Sequence, residues 1–90
     1  MDLSELQVII NFLISLNCVP PADLKINIVP ISKGFANYKD HIITIREDAP
    51  THVLVHEMAH SCQKPATNYE EWIDNEKKAK RLETLWQQRS

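Results

Sequence analysis

The segment H-E-M-A-H at positions 56–60 constrains the fold and the chemistry of this chain more than any other stretch. The apolar run just before it, residues 53–55, predicts a partly buried helix. Side chains four residues apart on a helix lie on one face, with Cβ atoms about 5–6 Å apart, so His56 and His60 can bind one ion. Glu57 is offset around the helix and can reach a water on that ion without being a ligand. The segment therefore predicts a metal-binding helix that carries a general base.

The surroundings of this motif favour a bound ion over two structural histidines. The neighbouring residues are mainly Val, Leu, Met and Ala, among which polar side chains without a partner are costly. Thr51 is the expected N-cap of a helix over residues 51–63. His52 lies one turn before the motif but about 12 Å along the helix axis from His60, so one ion cannot bind all three histidines. We expect His52 to be a structural or rim histidine.

Hydrophobic periodicity assigns the chain to an α+β fold in a single domain, residues 1–90. The predicted elements, in chain order, are an N-terminal helix over 3–17, strands over 24–31, 35–38 and 42–46 that form a small three-stranded sheet, the motif helix over 51–63 and a C-terminal helix over 69–88. Asp2 and Glu5 have the spacing of a capping box at the start of the first helix. Trp72 and Trp86 belong to the apolar stripe of the last helix and are expected in the core or in helix packing, with a substrate-pocket role as the remaining interpretation.

Composition and charge exclude several classes of function. The net charge of −2 gives no reason to expect a nucleic-acid partner, and no apolar run approaches the roughly 18 residues of a membrane span. The first five residues are acidic where a signal peptide is basic, which predicts a cytoplasmic protein. Cys18 and Cys62 are the only cysteines, and we expect free thiols in a reducing compartment, with Cys62 not acting as a ligand. The oligomeric state is open, and a monomer is assumed.

The third ligand of a catalytic zinc site has to come from outside the motif, because such a site has three protein ligands and one water. No histidine follows His60, so a ligand from the last helix must be a carboxylate. At about 100° per residue, Glu76 projects into the apolar sector of that helix, where an acidic residue is unusual unless it is paired or binds metal. Glu83 lies on the same sector, about 10 Å farther along the axis. We expect Glu76 as the third ligand, with Glu83 or an upstream acid as the alternative; an ordinary exposed acid is the remaining interpretation of Glu76.

These segments resemble a known family. Residues 53–60 resemble the active helix of the zincin metallopeptidases, and N-E-K-K-A at 75–79 is similar to the N-E-x-x-A segment that carries the glutamate ligand of gluzincins. The short chain and its strand–loop–helix order resemble the small gluzincins of the ImmA/IrrE type. The likeness covers residues 41–83, and its strong part is the pentapeptide. The spacing from His60 to the ligand is shorter than in larger gluzincins, and Lys80 stands where many have an aspartate that orients a metal-bound histidine, so another acceptor must hold that imidazole.

The resemblance implies a zinc metalloendopeptidase that hydrolyses a peptide or protein substrate. In that scheme Zn²⁺ is held by His56, His60 and Glu76 and activates a water, and Glu57 takes the proton of this water and passes it to the leaving amine.

The resemblance also raises two questions about the substrate. Tyr38, His41 and Tyr69 are candidate donors to the oxyanion, and the sequence does not rank them. The strand Ile42–Ile45 is expected to offer an edge on which an extended substrate pairs its backbone.

Two other interpretations of the chain stay open. One is a catalytically inactive, metal-stabilised binding module that recognises a protein partner, because a chain this small has little room for a substrate cleft. The other is a metal-free domain in which the motif is a coincidence.

Overall fold

The computed structural model describes residues 3–89, which form three α-helices and a three-stranded mixed sheet. A 3-10 turn, Leu3–Glu5, precedes α1 (Leu6–Ser15), and the remaining elements are β1 (Lys25–Val29), β2 (Ala36–Lys39), β3 (Ile42–Arg46), α2 (Thr51–Ser61) and α3 (Tyr69–Gln88). The predicted α+β layout and the order of the elements are confirmed. Within the described range, none of the helices combines the length and the apolar character that crossing a bilayer requires.

The predicted bounds of β3 and α3 agree with the structure, β2 is shifted by one residue, and the other elements are shorter than predicted. The prediction that Thr51 is an N-cap is wrong, because Thr51 is the first residue of α2. The cap position belongs to Pro50, whose backbone is extended, with φ −65° and ψ 152°, and whose side chain has no acceptor to offer. The capping box predicted for Asp2 and Glu5 depends on Asp2, which lies outside the described residues.

β3 is the central strand of the sheet, which has the order β1-β3-β2. β1 pairs with β3 in parallel, and β2 pairs with β3 in antiparallel register. Asp40 and His41 connect β2 to β3 with positive φ values of 51° and 63°, and such a pair gives a two-residue hairpin the twist of its strands. The prediction that Ile42–Ile45 forms an edge is therefore wrong. The free edges of the sheet belong to β1 and β2.

The hydrophobic core lies between one face of the sheet and the helices. Ile43 and Ile45 of β3 have no exposed surface, and the register places Ile26 and Ile28 of β1 beside them. The helices add the buried apolar side chains Ile9 and Leu13 from α1, Leu54, Val55, Met58 and Ala59 from α2, and Ala79 and Trp86 from α3. Each large apolar side chain that is fully buried contributes about 1.5–3 kcal/mol. Most of these side chains fix the position of α2, the helix that carries the motif.

The two tryptophans of α3 have different environments. Trp86 is only 6% exposed, and its ring meets the ring of Phe12 edge-on with centroids 5.3 Å apart, so its predicted place in the core is confirmed. Trp72 is 53% exposed, so the same prediction is wrong for this residue. Trp72 lies near the start of α3, where the helix borders an open cleft instead of another helix.

The cysteines form a disulfide bond between Cys18 and Cys62, with their Cα atoms 5.5 Å apart. The prediction of two free thiols is therefore wrong. The bond joins the segment after α1 to the end of α2, two residues beyond the motif. Residues 44 positions apart in the chain become neighbours only through the tertiary fold, which no local sequence pattern encodes.

Candidate metal centre

His56 and His60 of α2 face Glu76 of α3 across the interface of the two helices. The two Nε2 atoms lie 3.1 Å apart. The carboxylate oxygens of Glu76 lie 3.3 Å from Nε2 of His56 and 3.2 Å from Nε2 of His60. The structure thus brings together the three residues predicted as ligands, with one ligand atom from each within 4.8 Å of the others. Among residues 3–89, these three are the one such group of His, Cys, Asp and Glu side chains.

Hydrogen bonds on the far side of each imidazole decide which nitrogen carries the proton. Nδ1 of His56 lies 3.0 Å from Oε1 of Glu83, and Nδ1 of His60 lies 2.8 Å from Oε1 of Gln63. The orientation of the Gln63 amide is fixed, because its Nε2 donates to the carbonyl oxygen of Asn75 at 2.8 Å and a carbonyl can only accept. Each Nδ1 therefore donates a hydrogen. In a neutral ring, a hydrogen on Nδ1 leaves a lone pair on Nε2.

These three side chains could hold a metal ion. Where both rings are neutral, their Nε2 lone pairs and the carboxylate of Glu76 converge without a donor, an arrangement that a cation at the centre would stabilise. Two imidazole nitrogens with one carboxylate oxygen are a ligand set of catalytic zinc sites. His56 and His60 keep only 19% and 17% of their side-chain surface exposed, so little water competes for their lone pairs.

Glu83 is a buried acceptor that holds the imidazole of His56. The sequence predicts such an acceptor because Lys80 stands at the position where an aspartate is expected to do this. Glu83 is 6% exposed, its Oε1 accepts from His56, and its Oε2 accepts from Nδ1 of His52 at 3.0 Å and from Nζ of Lys80 at 3.1 Å. Burial raises the pKa of this carboxyl, but hydrogen bonds from Lys80 and His52 and the nearby charges outweigh it, so the pKa lies below its ordinary value. The carboxylate is therefore ionised and able to hold the imidazole. Glu83 lies behind His56, on the side away from Glu76, and so it does not join the ligand group.

The position of Glu83 follows from the helical period. It lies seven residues, or about two turns, after Glu76 and therefore on the same side of α3. His52, predicted to be structural, likewise stays outside the ligand group and holds the second oxygen of Glu83. Gln63 was not recognised from the sequence. Its place three residues after His60 was the available signal, because side chains at that spacing are neighbours on a helix.

Glu57 lies beside the ligands on the wall of an open cleft. Burial raises the pKa of Glu57 above its usual value; the two histidines oppose this shift and Glu76 adds to it. A carboxylate whose pKa is moved toward neutrality is a stronger base for a nearby water than an ordinary glutamate.

The cleft measures about 550 Å³ and runs between β2 and the two helices of the site. This volume lies within the range of about 300–1,000 Å³ that is typical of ligand sites. Its walls include all of β2 and, from the helices, Glu57, His60, Trp72 and Glu76. The chain is small, yet β2, α2, α3 and the loop between the two helices together line a cleft of this size.

The three candidate oxyanion donors lie in different places. Tyr38 and His41 line the cleft, and Tyr69 lies outside its lining. Nδ1 of His41 donates to a carboxylate oxygen of Asp23 at 2.9 Å, so Nε2 of that ring is a donor only when both ring nitrogens carry hydrogen. Tyr38 is half-buried on β2 and lies on the face of the sheet that contacts α2.

Protein-family models, curated proteins and solved structures give no match to this chain, so the chemistry of the site has to be inferred from the residues that form it.

Proposed function

We propose that this chain is a zinc metalloendopeptidase of a minimal gluzincin type, with His56, His60 and Glu76 as ligands and Glu57 as general base. The observation that carries the proposal is the convergence of His56, His60 and Glu76, with one ligand atom of each within 4.8 Å of the others, beside the carboxylate of Glu57 on an open cleft. A site built only for stability would be closed on all sides, whereas this one borders a space that a peptide can enter.

Zinc is the proposed ion because the ligand set mixes two imidazole nitrogens with one carboxylate oxygen. When bound, zinc lowers the pKa of its water toward about 7 and polarises the substrate carbonyl. Magnesium and calcium prefer sites built from oxygen atoms alone, which does not describe this group. Glu83 and Gln63 hold the two imidazoles in the tautomer that a metal requires.

Glu57 carries the proton transfers in the proposed reaction. Its carboxylate takes a proton from the attacking water and then delivers that proton to the nitrogen of the leaving amine. The partly buried surroundings of Glu57 favour both steps, because they bring its pKa closer to that of the water it deprotonates. The hydroxyl of Tyr38 is the donor in the cleft that can stabilise the charge developing on the carbonyl oxygen, and His41 can do so only when both of its ring nitrogens carry hydrogen.

The substrate in this proposal is an extended peptide that lies along β2. β2 is an edge strand, so the backbone groups on its outer side have no strand partner, and all four of its residues line the cleft. An extended peptide pairs its own backbone with such an edge. β2 is therefore the proposed edge for substrate pairing, the role that the sequence predicted for Ile42–Ile45.

A cytoplasmic location stays a proposal. The disulfide between Cys18 and Cys62 weighs against it, since oxidising compartments preserve such a bond. The redox state of the two thiols in cell extracts, trapped by alkylation, distinguishes the compartments.

The test of the proposed function is the variant Glu57→Gln, with Glu70→Gln as the matched control. Glu70 is an exposed acid in the first turn of α3 and is not among the ligands or the residues that line the cleft. We expect wild type and Glu70→Gln to bind one zinc ion and to cleave members of a peptide library. Glu57→Gln should bind the same amount of zinc and lose cleavage by at least about 100-fold.

Cleavage that survives in Glu57→Gln rejects Glu57 as the base. Protein that takes up no zinc rejects the ligand assignment. Tight peptide binding without turnover in the wild type favours the inactive binding module.

A further inference from the structure

Two large aromatic side chains lie exposed and stacked at the beginning of α3. Tyr69 is 73% exposed and Trp72 is 53% exposed. Their rings are nearly parallel, 14° apart, with centroids 6.0 Å from each other. We call this pair the aromatic platform. Removing aromatic side chains of this size from water lowers the free energy, so a stacked and exposed pair is suited to binding an apolar group.

The platform adjoins the proposed catalytic site. Trp72 lines the same cleft as Glu57, His60 and Glu76. It lies four residues before Glu76 on one helix, which is about 6 Å along the axis. An extended peptide rises about 3.3 Å per residue, so a side chain over Trp72 belongs to a residue about two positions from a carbonyl held beside Glu76.

Two loop residues that line the cleft are apolar and uncharged. Pro65 and Ala66 lie in the loop between α2 and α3 and line the cleft together with Trp72. The ionisable lining residues are Lys39, Asp40, His41, Glu57, His60, Lys64 and Glu76. None of them lies between Pro65 and Trp72 in the chain. This composition favours an apolar side chain over a charged one.

Hydrogen bonds hold the loop beside the platform at both of its ends. At one end, Nδ2 of Asn75 donates to the carbonyl oxygen of Lys64 at 3.0 Å. At the other, the backbone N–H of Glu71 donates to Oδ1 of Asn68 at 2.9 Å, and Glu71 in return accepts from the hydroxyl of Thr67 at 2.6 Å. A subsite that is ordered before the ligand arrives loses less entropy on binding.

We propose that Tyr69 and Trp72 form a substrate subsite that accepts an aromatic side chain about two residues from the scissile bond. The assignment of the scissile bond rests on the proposed peptidase function, whereas the binding of an aromatic side chain at Trp72 can be measured without any cleavage. Trp72 stacks against the incoming ring, and Tyr69 supports Trp72 from the side facing the solvent.

The binding experiment uses the zinc-loaded Glu57→Gln protein and isothermal titration calorimetry. The probes are blocked octapeptides of alanine and serine with a single Phe moved through each position. We expect the best Phe position to bind about tenfold more tightly than the peptide without Phe. Adding Trp72→Ala should remove this difference, and adding Trp72→Phe should restore most of it.

Phe35→Ala is the matched control, because Phe35 is a 45% exposed aromatic residue that does not line the cleft. This variant should keep the full preference for Phe. Trp72 is exposed, so Trp72→Ala should also keep the melting temperature of the parent within a few degrees, which separates loss of binding from loss of folding.

The outcomes separate the subsite from the proposed function. Equal binding of Phe and Ala peptides, no detectable binding of any peptide, or an unchanged preference in Trp72→Ala overturns the subsite, even if the wild type cleaves all the peptides. A Phe preference that depends on Trp72 supports the subsite, even if the wild type cleaves none of them. A dimer that dissociates in Trp72→Ala, seen by analytical ultracentrifugation, overturns the subsite because a second copy then covers the platform.

Discussion

The substitution Glu83→Gln tests whether the buried carboxylate behind His56 prepares the metal centre. It preserves the size of the side chain and removes its charge. In the wild type one oxygen accepts from His56 at 3.0 Å, and the other accepts from His52 at 3.0 Å and from Lys80 at 3.1 Å. An amide has only one oxygen, so it can serve one side of this network and must present an N–H group to the other.

Both orientations of the new amide disturb the site. If its oxygen faces His52 and Lys80, its N–H group faces Nδ1 of His56, and the ring must carry its proton on Nε2, where the metal lone pair is needed. If its oxygen faces His56, its N–H group points at the N–H donors of His52 and Lys80. No acceptor is then left for these donors beside the buried side chain, which is unfavourable. Loss of such a partner lowers metal affinity by about 10–100-fold, or about 1.4–2.7 kcal/mol.

The assay is competition for zinc with a chromogenic chelator at neutral pH, with Glu70→Gln as the control. We expect Glu83→Gln to bind zinc about 10–100-fold more weakly and the control to match the wild type. Thermal unfolding in excess chelator measures the effect on the metal-free fold separately. A zinc dissociation constant for Glu83→Gln within a factor of two of the wild type refutes the orienting role of Glu83.

Two further predictions concern the parts of the fold that support the site. The double substitution Cys18→Ser with Cys62→Ser opens a loop with a sequence separation of 44 residues, and we expect the free energy of unfolding in urea to fall by about 2–4 kcal/mol. Equal urea midpoints with and without reductant contradict this. Hydrogen bonds from Thr67 lower the pKa of Glu71 below its ordinary value, so this bond stabilises the fold above that value and is lost as the pH falls through the folded-state pKa. Thr67→Val should raise the pKa of Glu71 in an NMR titration, and an unchanged pKa argues against the bond.

The sequence alone determined the features that depend on neighbours within one element. The spacing of His56 and His60 places them on one face of any helix, whatever surrounds it. The helical period likewise placed Glu76 on the inner side of α3. β-branched residues gave the bounds of β3 for the same reason, since strand propensity and alternation are local properties.

Only the tertiary structure decided which elements meet. The order β1-β3-β2 makes β2 the edge beside the cleft, and this order depends on a parallel pairing between strands far apart in the chain. The bond between Cys18 and Cys62 depends on the same kind of distant contact. Trp72 and Trp86 have the same helical phase, yet one is exposed and the other buried, because α1 covers only the far end of α3. Local periodicity specifies which face of an element is apolar or polar, and the packing of distant segments decides what that face contacts.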